Sequence, residues 1–213
     1  MNKHVAPPQF NLPAPRQRTA PEPHPSTQGA QDWPRLAWTL DMFDRASELG
    51  LFGKQDRIEL IRGELVPMAA KGVRHERVRD EILNWFMRRL PLETRMASEP
   101  GWRLNSDTYL EPDIIVYDGK ARMPHVPAEQ ILLGVEVSHS SLGKDYGPRA
   151  TLLAELGVRC YWVIDVETLM IHSFDGLTSA GYAAIGQHSL TETVTPSLVP
   201  ALALRLADLG IDT

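Results

Sequence analysis

The sequence predicts an α+β fold in which a mixed, strongly bent β-sheet is flanked by helices. With 213 residues and 43% hydrophobic content, the chain is long enough for one sizeable core but short for two ordinary domains. Helical and strand-like apolar patterns follow one another in the order helix, several strands, helix, several strands. Residues 1–34 differ, since they hold eight of the seventeen prolines and almost no periodic apolar pattern. We therefore predict a disordered Pro-rich tail over 1–34, with partner binding by that tail as the alternative, and one domain over 35–213.

The first half of the domain contains two helical patterns separated by a hairpin. Thr39 is a suitable N-cap for a helix that ends at Gly50. The segment 57–68 reads as two strands around an Arg-Gly turn, which is typical of a β-hairpin. An apolar stripe with helical spacing then predicts a helix over 75–90, which Pro91 stops.

The second half is richer in strands. The apolar runs predict three strands, then a helix that Gly157 ends, then strands in RCYWVID and TLMIHSF, and a weaker pair of strands near 181–194. The three strands and the helix are expected at 97–104, 109–117, 131–138 and 146–156.

Composition excludes several classes of protein. The single cysteine, Cys160, cannot form an internal disulfide, no secretory signal is visible, and no apolar run approaches the roughly 20 residues of a membrane helix. We therefore expect a cytoplasmic protein with no membrane segment. The net charge of −5 argues against a protein that coats nucleic acid over its whole surface, but it leaves room for a local basic face.

Two acidic residues enter mostly apolar strands. Side chains alternate along a strand, so in GVEVS Glu136 must point away from Val135 and Val137. Asp113 begins the buried run that follows it in LEPDIIVYD. Buried carboxylates need a cation, a metal or several donors, and two that converge suit a hard ion such as Mg²⁺. The alternative is structural, with Glu136 on an exposed edge and Asp113 in a turn after Pro112.

A resemblance to a known family rests on an ordered set of motifs. These are DRIELIRGELVPM with the following His75, EPDIIVYD, GVEVSHSS, and KDYGPRATLLAELGVRCYWVID. Together they resemble the Uma-type restriction endonuclease family, which is part of the PD-(D/E)XK nuclease superfamily, over about residues 37–208. The resemblance implies a restriction-endonuclease-like sheet and a metal-dependent endonuclease that hydrolyses phosphodiester bonds in DNA.

The same resemblance implies the site residues. Asp113, Glu136 and the backbone carbonyl of Val137 would bind Mg²⁺ or Mn²⁺, and His75 would contact phosphate or position water, unless it only caps its helix. The family carries a lysine four residues after the aspartate of its D-x-G segment, where this chain has Arg149, and a tyrosine where it has Leu153.

Arginine in place of the family lysine at position 149 leaves two predictions for nuclease activity. Arg149 keeps the positive charge, but its pKa above about 12 prevents it from accepting a proton. It could also be a helix-surface partner of Asp145. If Pro148 lies in the first helical turn, however, Arg149 lies near the positive end of the helix and needs an anion. The alternative function is a catalytically weakened nuclease fold that binds nucleic acid or a protein.

Other residues received weaker predictions. Glu64 and, less strongly, Glu59 are candidate further acids of the metal site, whereas His139 is assigned to a loop. DNA contact is predicted for residues 71–103, because this segment contains eight Lys and Arg but only five Asp and Glu residues. A homodimer would suit cleavage of both DNA strands, because a two-fold axis matches the symmetry of the duplex.

Overall fold

The computed structural model describes residues 36–53, 56–139 and 141–211, and the folded unit begins at Ala37. The tail predicted over 1–34 lies outside the described residues. The α+β class is confirmed, but the strands form two sheets rather than one. No helix in the described part of the chain is both long and apolar enough to cross a bilayer.

The smaller sheet has four antiparallel strands in the order β2-β1-β5-β4. Helix α1 (Leu40–Glu48) precedes it, and the Thr39 hydroxyl caps this helix at the amide of Met42, as predicted. The predicted hairpin is confirmed as β1 and β2. The strands of this sheet are β1 (Ile58–Ile61), β2 (Glu64–Pro67), β4 (Trp102–Asn105) and β5 (Thr108–Leu110).

The larger sheet has six strands in the order β10-β9-β8-β7-β6-β3, and it is mixed because only β7 and β8 run parallel. Both of its faces carry buried apolar clusters, which explains why the central strands read as nearly continuous apolar runs. Its strands are β3 (Thr94–Ser98), β6 (Ile114–Asp118), β7 (Ile131–Ser138), β8 (Tyr161–Asp165), β9 (Met170–Thr178) and β10 (Gly181–His188).

Three strand predictions need correction. The strands predicted at 97–104 and 109–117 are each broken, so that β3 and β6 belong to the larger sheet while β4 and β5 belong to the smaller one. Glu99, with a positive φ of 48°, and Pro100 make the first break. Pro112 makes the second, because proline has no amide hydrogen for a ladder. Near 181–194 there is one strand, β10, and Val194 makes only an isolated bridge to Leu204.

Helix α2 (Val73–Met87) covers one face of the larger sheet. Its buried side chains recur at helical spacing, and three of them, Val78, Ile82 and Phe86, belong to the same apolar cluster as the inward residues of β6 and β7. The helix begins two residues before the predicted start and ends three residues before the predicted end. His75 is the buried residue of its otherwise exposed first turn, and its ring contacts Asp113.

The last helical segment covers the other face of the larger sheet. It runs from α3 (Leu142–Lys144) through a π-helical turn (Asp145–Arg149) into α4 (Ala150–Leu156), and Gly157 ends it with a φ of 98°, as predicted. The helix therefore starts earlier than the predicted 146. Pro148 lies inside the segment rather than in its first turn, and the wider π turn accommodates a residue that lacks an amide hydrogen. Arg149 therefore lies in the middle of a continuous helical segment and not at its N-terminus, contrary to the prediction.

The β1–β2 turn provides a stability test. Arg62 and Gly63 both have positive φ, and a Cβ on Gly63 would lie 2.9 Å from the Cβ of Ala37. Gly63→Ala should lower the free energy of unfolding by more than the ~1–2 kcal/mol that a left-handed conformation costs an L-residue. Gly50→Ala is the control, since Gly50 also has a positive φ but its added Cβ would meet nothing within 4 Å. Equal losses in urea denaturation would show that the contact with Ala37 does not matter.

Candidate active site

Asp113 lies in the gap between β5 and β6, next to β7. The last β6–β7 pair is Ile114 with Val135, so β7 extends beyond the end of its neighbour. The amide of Val137, on this extension, donates to Oδ2 of Asp113 at 2.8 Å. The break at Pro112 therefore turns the Asp113 carboxylate onto the free edge of β7, where it replaces a strand partner.

Glu136 reaches back to Asp113 from the same stretch of β7. Val135 and Val137 pack in the apolar cluster with α2, and Glu136 points away from them, as the alternation predicted. Its Oε2 accepts a hydrogen bond from the amide of Asp113 at 3.2 Å. Each side chain thus accepts a backbone amide of the other's segment, and both side chains are buried. The exposure that the structural alternative gave to Glu136 is wrong, whereas Asp113 does lie in a bend after Pro112, as that alternative expected.

Two basic side chains contact the Asp113 carboxylate. Nε2 of His75, in the first turn of α2, lies 3.0 Å from Oδ2 of Asp113. The ammonium of Lys71, in the loop before α2, binds Oδ1. Burial raises the pKa of Asp113, but the hydrogen bond and charge of His75, together with Lys71, outweigh it and hold that pKa below its usual value. Asp113 is therefore ionised at neutral pH.

Arg149 projects from the π turn between two acidic residues on different sheets. Its two terminal nitrogens bind the Glu59 carboxylate at 2.7 and 3.0 Å, in the fork geometry that suits arginine. Its Nε lies 3.7 Å from Oε1 of Glu136, which is an ion pair but not a hydrogen bond. Arg149 thus joins β1 to β7, and the surface pair with Asp145 that the sequence allowed is absent from the ion pairs of the described residues.

The electrostatics of Glu136 and Arg149 oppose each other. Burial raises the pKa of Glu136 well above its usual value, and the charge of Arg149 offsets this only in part. Burial lowers the pKa of Arg149, but the charges of Glu136 and Glu59 outweigh burial and raise it. Arg149 is therefore a permanent cation, whereas Glu136 ionises reluctantly and would gain from a second cation.

These groups line an open cleft of about 820 Å³ between the hairpin, the loop before α2 and the α3–α4 segment. The lining includes every residue that the family resemblance implied for the site; of the two further candidate acids it includes Glu59 but not Glu64. It has five Lys or Arg and six Asp or Glu side chains, so its formal net charge is −1. A single divalent cation would reverse that sign. The predicted residues in the lining are His75, Asp113, Glu136, Val137 and Arg149.

The comparisons with known proteins identify the family. A family profile described as "Uma2: Putative restriction endonuclease" matches residues 40–207. The chain belongs to the Uma2 family. Membership of the Uma2 family confirms the resemblance to the Uma-type family that the sequence motifs indicated. The protein is therefore a member of a nuclease-like family.

A solved structure supports the fold. It is a "putative nuclease belonging to DUF820 from Anabaena variabilis", which is 19% identical to this Uma2 protein with a TM-score of 0.61. The match covers 80% of this chain and 96% of that one. At this identity the likeness establishes the fold alone. No curated protein matches the sequence.

A divalent ion is compatible with the donors at the site. Among the described residues, no three or more His, Cys, Asp or Glu side chains are grouped to hold a metal. Mg²⁺, however, commonly uses only one or two carboxylates and takes its other ligands from water and substrate phosphates. Oε1 of Glu136 is buried without a hydrogen-bond partner among the described residues, which is costly for a carboxylate oxygen. The carboxylates of Asp113 and Glu136 therefore fit a hard cation.

From the sequence, Lys71 received no site role and Glu59 received too low a rank. Lys71 was counted only as part of a basic excess, and Glu59 was ranked below Glu64. Glu59 is buried and also accepts the amide of Glu111 at 2.8 Å, whereas Glu64 is exposed. The only signal for Glu59 was indirect, since a buried arginine at position 149 requires an anion.

The remaining sequence predictions have mixed outcomes. His139 lies in a loop, as predicted, and pairs with Glu167 at 2.6 Å. Of the eight basic residues of 71–103, all of them described, only Lys71 lines the cleft. Several others already have partners within the chain: Arg79 binds Glu99, Arg103 binds Asp44, and Arg89 stacks on Trp85. A DNA-binding role for this basic excess stays a prediction.

Proposed function

We propose that this Uma2 protein is a Mg²⁺- or Mn²⁺-dependent endonuclease that hydrolyses phosphodiester bonds in DNA. One observation carries the proposal: Asp113, in the bend before β6, and Glu136, on β7, are each hydrogen bonded to the backbone of the other's segment and present buried carboxylates to one cleft. Burying two carboxylates side by side costs free energy, and such pairs of ionisable groups are typical of functional sites. The family description supports a nucleic-acid substrate.

Asp113 and Glu136 would hold the ion, together with the carbonyl oxygen of Val137. A bound divalent ion polarises a phosphoryl oxygen and lowers the pKa of water, which supplies hydroxide near neutral pH. Asp113 is ready to bind because it is already ionised. His75 would orient the Asp113 carboxylate through its contact with Oδ2. Oδ1 does not contact His75 and binds Lys71 instead.

Arg149 would steady negative charge that develops on the phosphate. Its guanidinium is fixed by Glu59, so it needs little reorganisation, and such preorganised charge is effective in catalysis. It cannot take a proton from water, because the neighbouring carboxylates hold its pKa high. A site that holds the ion should also bind the negatively charged DNA more readily. The lining has a formal charge of −1, and a divalent ion makes it positive.

The test is cleavage of supercoiled and linear DNA by the purified protein with Mg²⁺ or Mn²⁺, with EDTA and an RNA substrate alongside. We expect nicking that requires the ion and that Asp113→Ala abolishes. Asp80→Ala is the matched control, because Asp80 lies on the exposed side of α2 and should be dispensable. Nicking that survives both Asp113→Ala and Glu136→Ala would rule out the assigned site. DNA binding without any cleavage would instead favour a weakened, binding-only protein.

A further inference from the structure

Lys71 has a position that the proposed chemistry does not yet use. It precedes Gly72, the N-cap residue of α2, and only 12% of its side chain is exposed. Its ammonium lies between two carboxylates, those of Asp113 and Glu99. A lysine enclosed in this way is not a solvated surface charge, so its contact with Asp113 should affect what else Asp113 can bind.

The two oxygens of Asp113 are not equivalent. Oδ2 already accepts the Val137 amide and contacts Nε2 of His75, whereas Lys71 is the partner of Oδ1. A cation that binds Asp113 without disturbing the β7 edge must therefore use Oδ1. Lys71 holds the same oxygen that an incoming ion needs.

Glu99 gives Lys71 a second partner when it leaves that oxygen. The amide of Glu99 donates to the carbonyl of Asp113 at 3.0 Å, which fixes Glu99 beside the site. Arg79 also binds the Glu99 carboxylate, at 2.9 Å. Burial raises the pKa of Glu99, but Lys71 and Arg79 outweigh it and lower that pKa, so Glu99 keeps its charge. Lys71 can thus give up Asp113 and still remain paired.

We propose that Lys71 is an internal competitor of the divalent ion, which must displace the Lys71 ammonium from Oδ1 of Asp113 onto Glu99. This inference rests on the proposed metal site. The bound ion and the displaced lysine then face the same cleft, so loading the site also moves an ammonium group within it.

The sign of a change in ion affinity tests the inference. Removing a group that merely orients a metal ligand usually weakens binding about 10–100-fold. Removing a competitor does the reverse, so Lys71→Met should bind Mn²⁺ roughly ten-fold more tightly than the wild type. Binding of Mn²⁺ alone is measured by isothermal titration, with electron paramagnetic resonance of free Mn²⁺ as a check that does not depend on activity.

Three variants complete the experiment. Lys71→Gln replaces Lys71→Met if the latter does not fold, and the same tightening is expected. Lys120→Met removes an exposed lysine in the turn after β6 and should leave Mn²⁺ affinity unchanged. Asp113→Ala should abolish binding in either background. Unchanged or weaker binding by both Lys71 variants, with Asp113-dependent binding intact, would overturn the role of Lys71 alone. Absence of Asp113-dependent binding in every variant would overturn the metal site as well.

Glu99→Gln supplies an independent check. Without the Glu99 charge, Asp113 is the one ionic partner left to Lys71 among the described residues, so the ion should bind the single variant several-fold more weakly than the wild type. In the Lys71→Met background the same change should have a much smaller effect, because no lysine remains to be displaced. Equal effects in the two backgrounds would contradict the competition.

Discussion

Glu136→Gln should remove nuclease activity and at the same time stabilise the fold. The amide keeps the shape of the side chain but is a far poorer ligand for a hard cation, so we expect cleavage to fall more than about 100-fold. The fold should gain about 1–3 kcal/mol near pH 8, because a buried carboxylate is costly and Arg149 retains its two hydrogen bonds to Glu59.

The pH dependence fixes the sign of this gain. Burial holds the pKa of Glu136 in the folded protein above its value in the unfolded chain, about 4.3. The folded state therefore binds the proton more tightly, and its stability falls as the pH rises through the range above that unfolded value. The difference in melting temperature between Glu136→Gln and wild type should be small near pH 4.5 and larger at pH 8.

Glu155→Gln is the matched control for this variant. Glu155 also lines the cleft, but it is exposed and pairs with exposed Arg62, so its loss should change stability little. If Glu136 had a purely structural role, its replacement would lower the melting temperature and leave cleavage intact. Gain of stability with loss of cleavage is the pattern of a residue kept for chemistry.

Arg149→Met should be the most destabilising of these substitutions. It leaves Glu59 and Glu136 as buried carboxylates without their shared cation, and breaking a buried pair in this way typically costs 3–5 kcal/mol. The loss should shrink at low pH, because burial raises the pKa of Glu136 and its carboxylate then takes up a proton. Chemical denaturation at pH 5 and pH 8 measures it.

A second substitution, at Glu59, separates the electrostatic part of this loss of stability from the part due to packing. If the cost is electrostatic, the double variant Glu59→Gln/Arg149→Met should recover part of the lost stability. Arg45→Met removes an exposed arginine from a helix-surface pair and should have little effect. An Arg149→Met protein as stable as wild type at pH 8 would show that the Glu59–Arg149–Glu136 contacts do not hold the two sheets together.

Arg149→Lys keeps the charge and isolates the catalytic question. Lysine cannot reproduce the two parallel bonds to Glu59, so we expect a loss of about 1 kcal/mol. Cleavage should nevertheless increase, because a lysine can exchange a proton and an arginine cannot. Decreased cleavage by a folded Arg149→Lys protein would indicate that the fixed guanidinium itself is the better catalyst.

Local rules predicted much of the site. Alternation along β7 placed Glu136 opposite Val135 and Val137, and the apolar run after Asp113 placed it beside a central strand. These inferences held because they depend on a period of two and on burial, which short stretches of sequence determine.

Other features depend on contacts between distant segments. Glu59 is separated from Arg149 by 90 positions, and the pair exists only because the smaller sheet approaches the α3–α4 segment. Lys71 comes from a loop, whose path no periodicity determines. The break at Pro112 was assigned to a continuous strand, although the missing proline amide could have shown that Asp113 lies where one sheet gives way to another.

The most direct measurement is the anomalous scattering of Mn²⁺ in crystals of the protein. We expect one strong peak in the cleft, with an oxygen of Asp113 and an oxygen of Glu136 both at coordination distance, roughly 2.1–2.3 Å for such an ion. A peak bound by only one of these carboxylates, or no peak at the site under conditions that support cleavage, would contradict a shared ion.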